Sequence, residues 1–169
     1  ARYGGNTPCV EVRAGESIFV LDAGTGIQAF GRNYREITDE PVELHLLLTH
    51  THWDHIQGFP FFAPAYMAGY EIAVYAAPSV ARDLESIFRG QLDRAYFPVQ
   101  MEDMQARLEF NYIEDQPIRI GDIEISWEHT FHPGFTVGYK MTVDGRQLVF
   151  IPDNEFLKVY MGKPLRSID

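Results

Sequence analysis

The chain has 169 residues, of which 46% are hydrophobic and 22% charged, and its formal net charge is −10. That length holds one domain with a sizeable core, and that balance belongs to an ordinary globular protein and excludes a disordered one. The acidity disfavours binding to long phosphate backbones, which takes clustered lysine and arginine, and no apolar run approaches the roughly 18 residues of a membrane span.

In chain order, Cys9–Arg13 and Ser17–Leu21 read as two strands joined by Ala14-Gly15-Glu16. Asp22-Ala23-Gly24-Thr25-Gly26 follows, then a helical stretch from about Ile27 to Arg35, with Phe30 and Tyr34 four apart. Val42–Leu48 is a near-continuous apolar strand of the kind buried on both faces. Ile56–Tyr66 is aromatic and interrupted by Pro60 and Pro64, which allows a short helix and loop at most. Glu71–Tyr75 is a further strand, and Pro78 is expected to open a helix to about Arg89 with Val80, Leu84, Ile87 and Phe88 on one face.

Gln91–Met104 is loop-like. Beyond it come the strands Leu108–Ile113, Ile118–Ile120, Ile123–Glu128, Phe135–Val143 and Gln147–Ile151, with Asp144-Gly145 a strong hairpin signal between the last two. This order suggests an α+β fold, an αββα sandwich of two mixed sheets flanked by helices, in one domain over residues 1–169. The single cysteine, Cys9, excludes an internal disulfide framework and fits a reducing, cytoplasmic setting. Its apolar neighbours make it a buried strand residue.

Chemistry is concentrated in Thr49-His50-Thr51-His52-Trp53-Asp54-His55. His50, His52, Asp54 and His55 form H-x-H-x-D-H directly after a buried-type strand. A strand feeding a tight loop points such residues to one place at a sheet edge, where α/β enzymes bind ligands. Imidazole nitrogen and carboxylate oxygen suit Zn²⁺ and related first-row ions, Mn²⁺ and Fe²⁺ among them. Two more ligand candidates lie downstream. His132 sits in the Pro-Gly break His132-Pro133-Gly134, and Asp153 ends the apolar strand Leu148–Ile151, where it could bridge two ions or cap a helix. His45 alternates within its strand and His129 falls on the opposite face from His132, so both read as structural. Asp22 is placed to orient a ligand histidine or its loop rather than to bind metal.

The segments Tyr3-Gly4-Gly5-Asn6-Thr7-Pro8-Cys9, Leu21-Asp22-Ala23-Gly24-Thr25-Gly26, H-x-H-x-D-H, His132-Pro133-Gly134 and Asp153-Asn154-Glu155 run in one order over nearly the whole chain. Together they resemble the metallo-β-lactamase-fold hydrolases, in particular the branch that includes ribonuclease Z and small phosphodiesterases. The resemblance implies that His50, His52 and His132 bind a first metal, that Asp54 and His55 bind a second, and that Asp153 bridges. Family members carry one further histidine after another strand and helix, and a glycine-rich opening strand. No histidine follows His132 here. The resemblance therefore implies a piece of a longer protein that holds the first ion better than the second.

Such a site implies a hydrolase in which two Zn²⁺ ions activate a water, with Asp54 the catalytic residue that orients it or takes its proton. The expected substrate is a small molecule or short phosphodiester, with no long nucleic acid and no membrane, and a homodimer is compatible with the sequence. A thioesterase or lactonase would use the same ligands, and a non-catalytic metal-binding domain is the reading outside enzymology. A redox di-iron site is disfavoured by the intact His52. Phe59, Phe61, Phe62, Tyr66, Tyr96 and Phe97 either wall a ring-sized pocket or pack the core.

Overall fold

The computed structural model describes residues 4–37 and 43–155. Tyr3 of the opening motif and Val42 of the third strand lie outside the described residues.

Strand β1 (Val10–Ala14) turns through Gly15, at φ 59°, into the antiparallel β2 (Ser17–Leu21). Helix α1 (Gly26–Ile37) carries the chain to β3 (Glu43–Leu48), which lies parallel to β2. A one-turn helix α2 (Trp53–Ile56) and two 3-10 turns, Phe59–Phe61 and Ala63–Tyr66, lead to β4 (Glu71–Ala76). Helix α3 (Leu84–Gln91) then leads to β5 (Arg107–Tyr112), and the first sheet has the order β1-β2-β3-β4-β5. The second sheet holds β6 (Ile118–Ile120), β7 (Ile123–His129), β8 (Val137–Val143) and β9 (Arg146–Phe150) in sequence order.

Strand β2 shows why the apolar runs are continuous. Ile18 and Val20 join a cluster with Ile27, Phe30 and Tyr34 of α1 and with Leu84 and Phe88 of α3. Phe19 and Leu21 face the other way, into a core shared with Ile123, Ile125, Val137, Tyr139 and Met141 of the second sheet. Both faces of the first sheet are thus covered, by helices on one side and by the second sheet on the other.

Two expectations need correction. The second sheet is antiparallel throughout its described strands rather than mixed. Its strands are joined by turns or short loops such as Asp144-Gly145, where φ is 50° and 70°, and such links permit only antiparallel neighbours. The third helix begins at Leu84, not Pro78. Asp83 caps it by accepting from Ser86 N at 2.9 Å and from the Ser86 hydroxyl at 2.6 Å, so this cap sets the start in place of the proline. Among the described residues no helix is long and apolar enough to cross a membrane.

Candidate metal centre

The site lies where β2 and β3 end and where the second sheet turns. Leaving β3, Thr49 and the histidine motif run into α2, while Asp22 follows the last residue of β2. His132 lies between β7 and β8, and Asp153 lies just beyond β9.

Close backbone contact seats the motif. Ala23 N donates to His55 O at 2.7 Å, and Gly58 N donates to Ala23 O at 2.9 Å. A Cβ on Gly58 would stand 2.1 Å from Gly24 O, and one on Gly24 would stand 2.5 Å from Asp54 O. These two glycines let the strand–helix turn after β2 press against the loop that carries Asp54 and His55. The second sheet is tied to the same loop, because Val137 N donates to Thr49 O at 3.0 Å and the Tyr139 hydroxyl donates to Leu48 O at 2.8 Å. The His132 turn is held against the Asp153 segment by three further bonds. Phe131 N donates to Asn154 Oδ1 at 3.0 Å, the Thr130 hydroxyl to Asp153 O at 3.0 Å, and Glu155 N to Phe131 O at 2.6 Å.

The side chains converge. His50, His52, His132 and Asp153 each offer a ligand atom within 4.8 Å of the others. Asp153 Oδ2 lies 3.3 Å from His132 Nε2, 3.4 Å from His55 Nε2 and 3.6 Å from His50 Nε2. His55 Nε2 is also 3.5 Å from Asp54 Oδ2. All six candidates from the sequence are thus in one cluster, with Asp153 central to it. His132 Nε2 stands 3.1 Å from His52 Nδ1, so His52 turns its Nδ1 toward the group whereas His50 and His55 turn Nε2.

The residues fit divalent metal. The Nε2 atoms of His50 and His55 are buried and have no hydrogen-bond partner among the described residues. An unpaired buried nitrogen is costly, and a cation shared with the Asp153 carboxylate would satisfy both.

Asp22 and Thr49 fix those tautomers. Asp22, wholly buried and at φ 62°, lies 2.8 Å from His55 Nδ1 and accepts from Thr49 N at 2.8 Å. The Thr49 hydroxyl donates to Asp22 Oδ2 at 2.9 Å and lies 3.1 Å from His50 Nδ1. With its proton directed to Asp22, that hydroxyl can only accept from His50. Both histidines therefore keep Nδ1–H and free Nε2 for the site. Burial, with the neighbouring His55 and His52, lowers the His50 pKa to about 4, so this imidazole is neutral at ordinary pH. For His55, burial pulls downward, but the Asp22 hydrogen bond and charge, with Asp153 and Asp54, outweigh it and raise the pKa. Burial also raises the Asp22 carboxyl, against the pull of the His55 and Thr49 donors, so the pair holds its proton firmly.

The sequence reading placed Asp22 as an acceptor and missed Thr49, whose signal was only its place between strand and motif. His45 is buried, stacks on Phe19 at 4.9 Å and takes no part in the cluster. His129 ends β7 beside Trp127 and is likewise outside it. Of the aromatic candidates, Phe59 and Phe62 are core, and the half-buried Tyr66 donates its hydroxyl to Pro60 O at 2.6 Å. Phe61, Tyr96 and Phe97 line a cavity with Trp53.

The family described as "Beta-lactamase superfamily domain" matches residues 18–169. No curated protein sequence matches the chain. Among solved structures, the chain is similar to the metallo-beta-lactamase fold protein YhfI from Bacillus subtilis, at 19% identity and a TM-score of 0.57, over 85% of this chain and 53% of that one. A diphosphatase from the PhnP family gives 18% identity and a TM-score of 0.57, over 80% of this chain and 49% of that one. Human tRNase Z, short form, gives 15% identity and a TM-score of 0.52, over 87% of this chain and 62% of that one. The chain thus spans about half the length of the first two. With a family match over most of its length and the metallo-β-lactamase fold in its neighbours, the chain belongs to the beta-lactamase superfamily domain family.

Proposed function

We propose that this chain carries the metal centre of a hydrolase that cleaves a small or short phosphodiester, with two Zn²⁺ ions as its metals. The observation that carries the reading is the meeting of the two orphaned histidine nitrogens with one carboxylate oxygen, 3.4 and 3.6 Å away, beside His52 and His132. His50, His52 and His132 would hold one ion, Asp54 and His55 the other, and Asp153 both. A mixed nitrogen–oxygen donor set suits zinc and also accommodates Mn²⁺ or Fe²⁺.

When bound, such ions supply Lewis-acid polarisation of a phosphoryl centre and lower the pKa of a water molecule. The chain's own groups do the rest. Asp54 is the half-exposed carboxylate of the cluster, free to orient the attacking water and take its proton. His50, kept neutral by burial, offers a lone pair without first losing a proton. Asp22 keeps His55 in the tautomer that presents Nε2. The diphosphatase and tRNase Z among the structural neighbours favour phosphorus over carbonyl chemistry, and the net charge of −10 favours a small substrate.

The test is metal analysis of the full-length protein, followed by turnover of a chromogenic phosphodiester, a thioester and a lactone. The expected result is bound zinc and preferential phosphodiester cleavage. Zinc-loaded protein that cleaves only the thioester or lactone would overturn the phosphodiester assignment, and protein that takes up no divalent metal would overturn the whole reading.

A further inference from the structure

Trp53 stands between two of the candidate ligands, His52 and Asp54, yet its side chain is 61% exposed. It forms one wall of a cavity of about 480 Å³, within the ~300–1,000 Å³ usual for small-molecule sites. Phe61, 56% exposed, Tyr96, 82% exposed, and Phe97 line the same cavity, with Phe61 and Phe97 edge to face at 5.3 Å. Large aromatic surfaces left open at the side of a candidate metal centre are suited to stacking on a planar ring.

Gln91 also lines this cavity, at the last position of α3. It is only 5% exposed, and both its amide nitrogen and its amide oxygen lack a hydrogen-bond partner among the described residues. A buried carboxamide unpaired at both atoms destabilises the fold, and leucine would fill the position at lower cost. What leucine lacks is a donor and an acceptor side by side. A carboxamide matches the edge of a nucleobase that offers the complementary pair, as adenine does.

We propose that this cavity seats the base of a nucleotide, with Trp53, Phe61, Tyr96 and Phe97 contacting its faces and rim and Gln91 pairing with its edge. The phosphorus held at the metal centre is then esterified to a nucleoside. This deepens the phosphodiester reading and rests on it for the position of the phosphate alone.

The experiment uses zinc-loaded full-length protein and calorimetric titration with adenosine 5′-monophosphate and, separately, ribose 5-phosphate. Both carry a phosphomonoester, so their difference reports the base alone. Adenosine monophosphate is expected to bind at least about tenfold more tightly, within the range of base–aromatic stacking. Phe61→Ala and Trp53→Ala should shrink that ratio toward unity. Gln91→Leu should raise the melting temperature while lowering the ratio of adenosine monophosphate to ribose 5-phosphate affinity, a combination a purely structural glutamine would not give. Equal affinity for the two probes in wild-type protein would overturn the proposal, as would a ratio unmoved by either aromatic substitution. An affinity ratio for adenosine monophosphate over ribose 5-phosphate unchanged in Gln91→Leu would remove the edge-pairing role. Turnover of a chromogenic phosphodiester, measured on the same sample, separates the two readings. Turnover without a binding ratio sinks the pocket, and a binding ratio without turnover sinks the hydrolase.

Discussion

Thr49 donates to Asp22 twice, through its backbone nitrogen at 2.8 Å and its hydroxyl at 2.9 Å, and so makes one buried carboxylate the orienting partner of two histidines. Thr49→Val keeps the backbone bond and the shape but removes the hydroxyl that holds His50 Nδ1. Zinc affinity is expected to fall about 10–100-fold, the range for lost outer partners of a ligand, with little change in fold. Competition with a zinc-binding dye measures it, and an unchanged affinity would show that Thr49 does not set the His50 tautomer.

Asp22→Asn separates charge from backbone strain. Asparagine tolerates the left-handed φ of 62°, so any loss comes from the changed hydrogen bonding to His55 and Thr49. The expected outcome is weaker metal binding with a retained circular dichroism spectrum. A spectrum lost before metal is removed would make Asp22 a folding residue first.

Asp54 is half-exposed, so Asp54→Ala should change stability by no more than about 0.5 kcal/mol, the usual scale for a surface position. Turnover should drop by about 10²–10⁴-fold if the carboxylate orients water or takes its proton. Wild-type turnover in that variant would refute the role. His52→Ala, by contrast, should remove metal from the His50–His52–His132 group, as metal analysis would show.

Gly58 has an ordinary φ of −80°, so Gly58→Ala tests crowding alone. The added carbon would lie 2.1 Å from Gly24 O, and forcing the segments apart should cost about 1–3 kcal/mol or more. Because the same segments carry the Ala23–His55 bond, metal affinity should fall with stability in denaturant titrations run with and without zinc.

Cys9 provides a pH test away from the ligands. Burial, with the charges of Asp22 and Glu11, pushes its thiol up to about 12 from an ordinary value of 9.0. The unfolded chain therefore releases this proton first as pH rises, and the stability present below pH 9 is progressively lost between about 9 and 12. Iodoacetamide at pH 8 should label folded protein far more slowly than unfolded protein, and Cys9→Ser should flatten the fall in stability over that window.

The strands were legible because burial on both faces leaves long apolar runs, as in Ser17–Leu21, and because Asp144-Gly145 can turn only one way. The ligand types were legible because metals select imidazole and carboxylate whatever the fold. Other features depend on contacts between residues far apart in sequence. The start of α3 was misplaced because Pro78 gave a stronger local signal than the Asp83 cap that forms. The need for glycine at 58 exists only because Gly24 arrives beside it. Asn154, read simply as part of a motif, carries the hydrogen bond that fixes the His132 turn. Gln91 resembled any polar residue near a helix end until its burial was visible.

The bond from Tyr139 to Leu48 O joins the sheets two residues before the histidine motif begins. His50, His52, Asp54 and His55 belong to one side of that seam, and His132 and Asp153 to the other. An ion held by both groups acts as a rivet, and its affinity becomes a gauge of how tightly the two layers are pressed together. Trimming Met141, deep in the seam and not a ligand, should then release metal under conditions where the chain is still folded. Sites with all their ligands on one layer would not respond in that way.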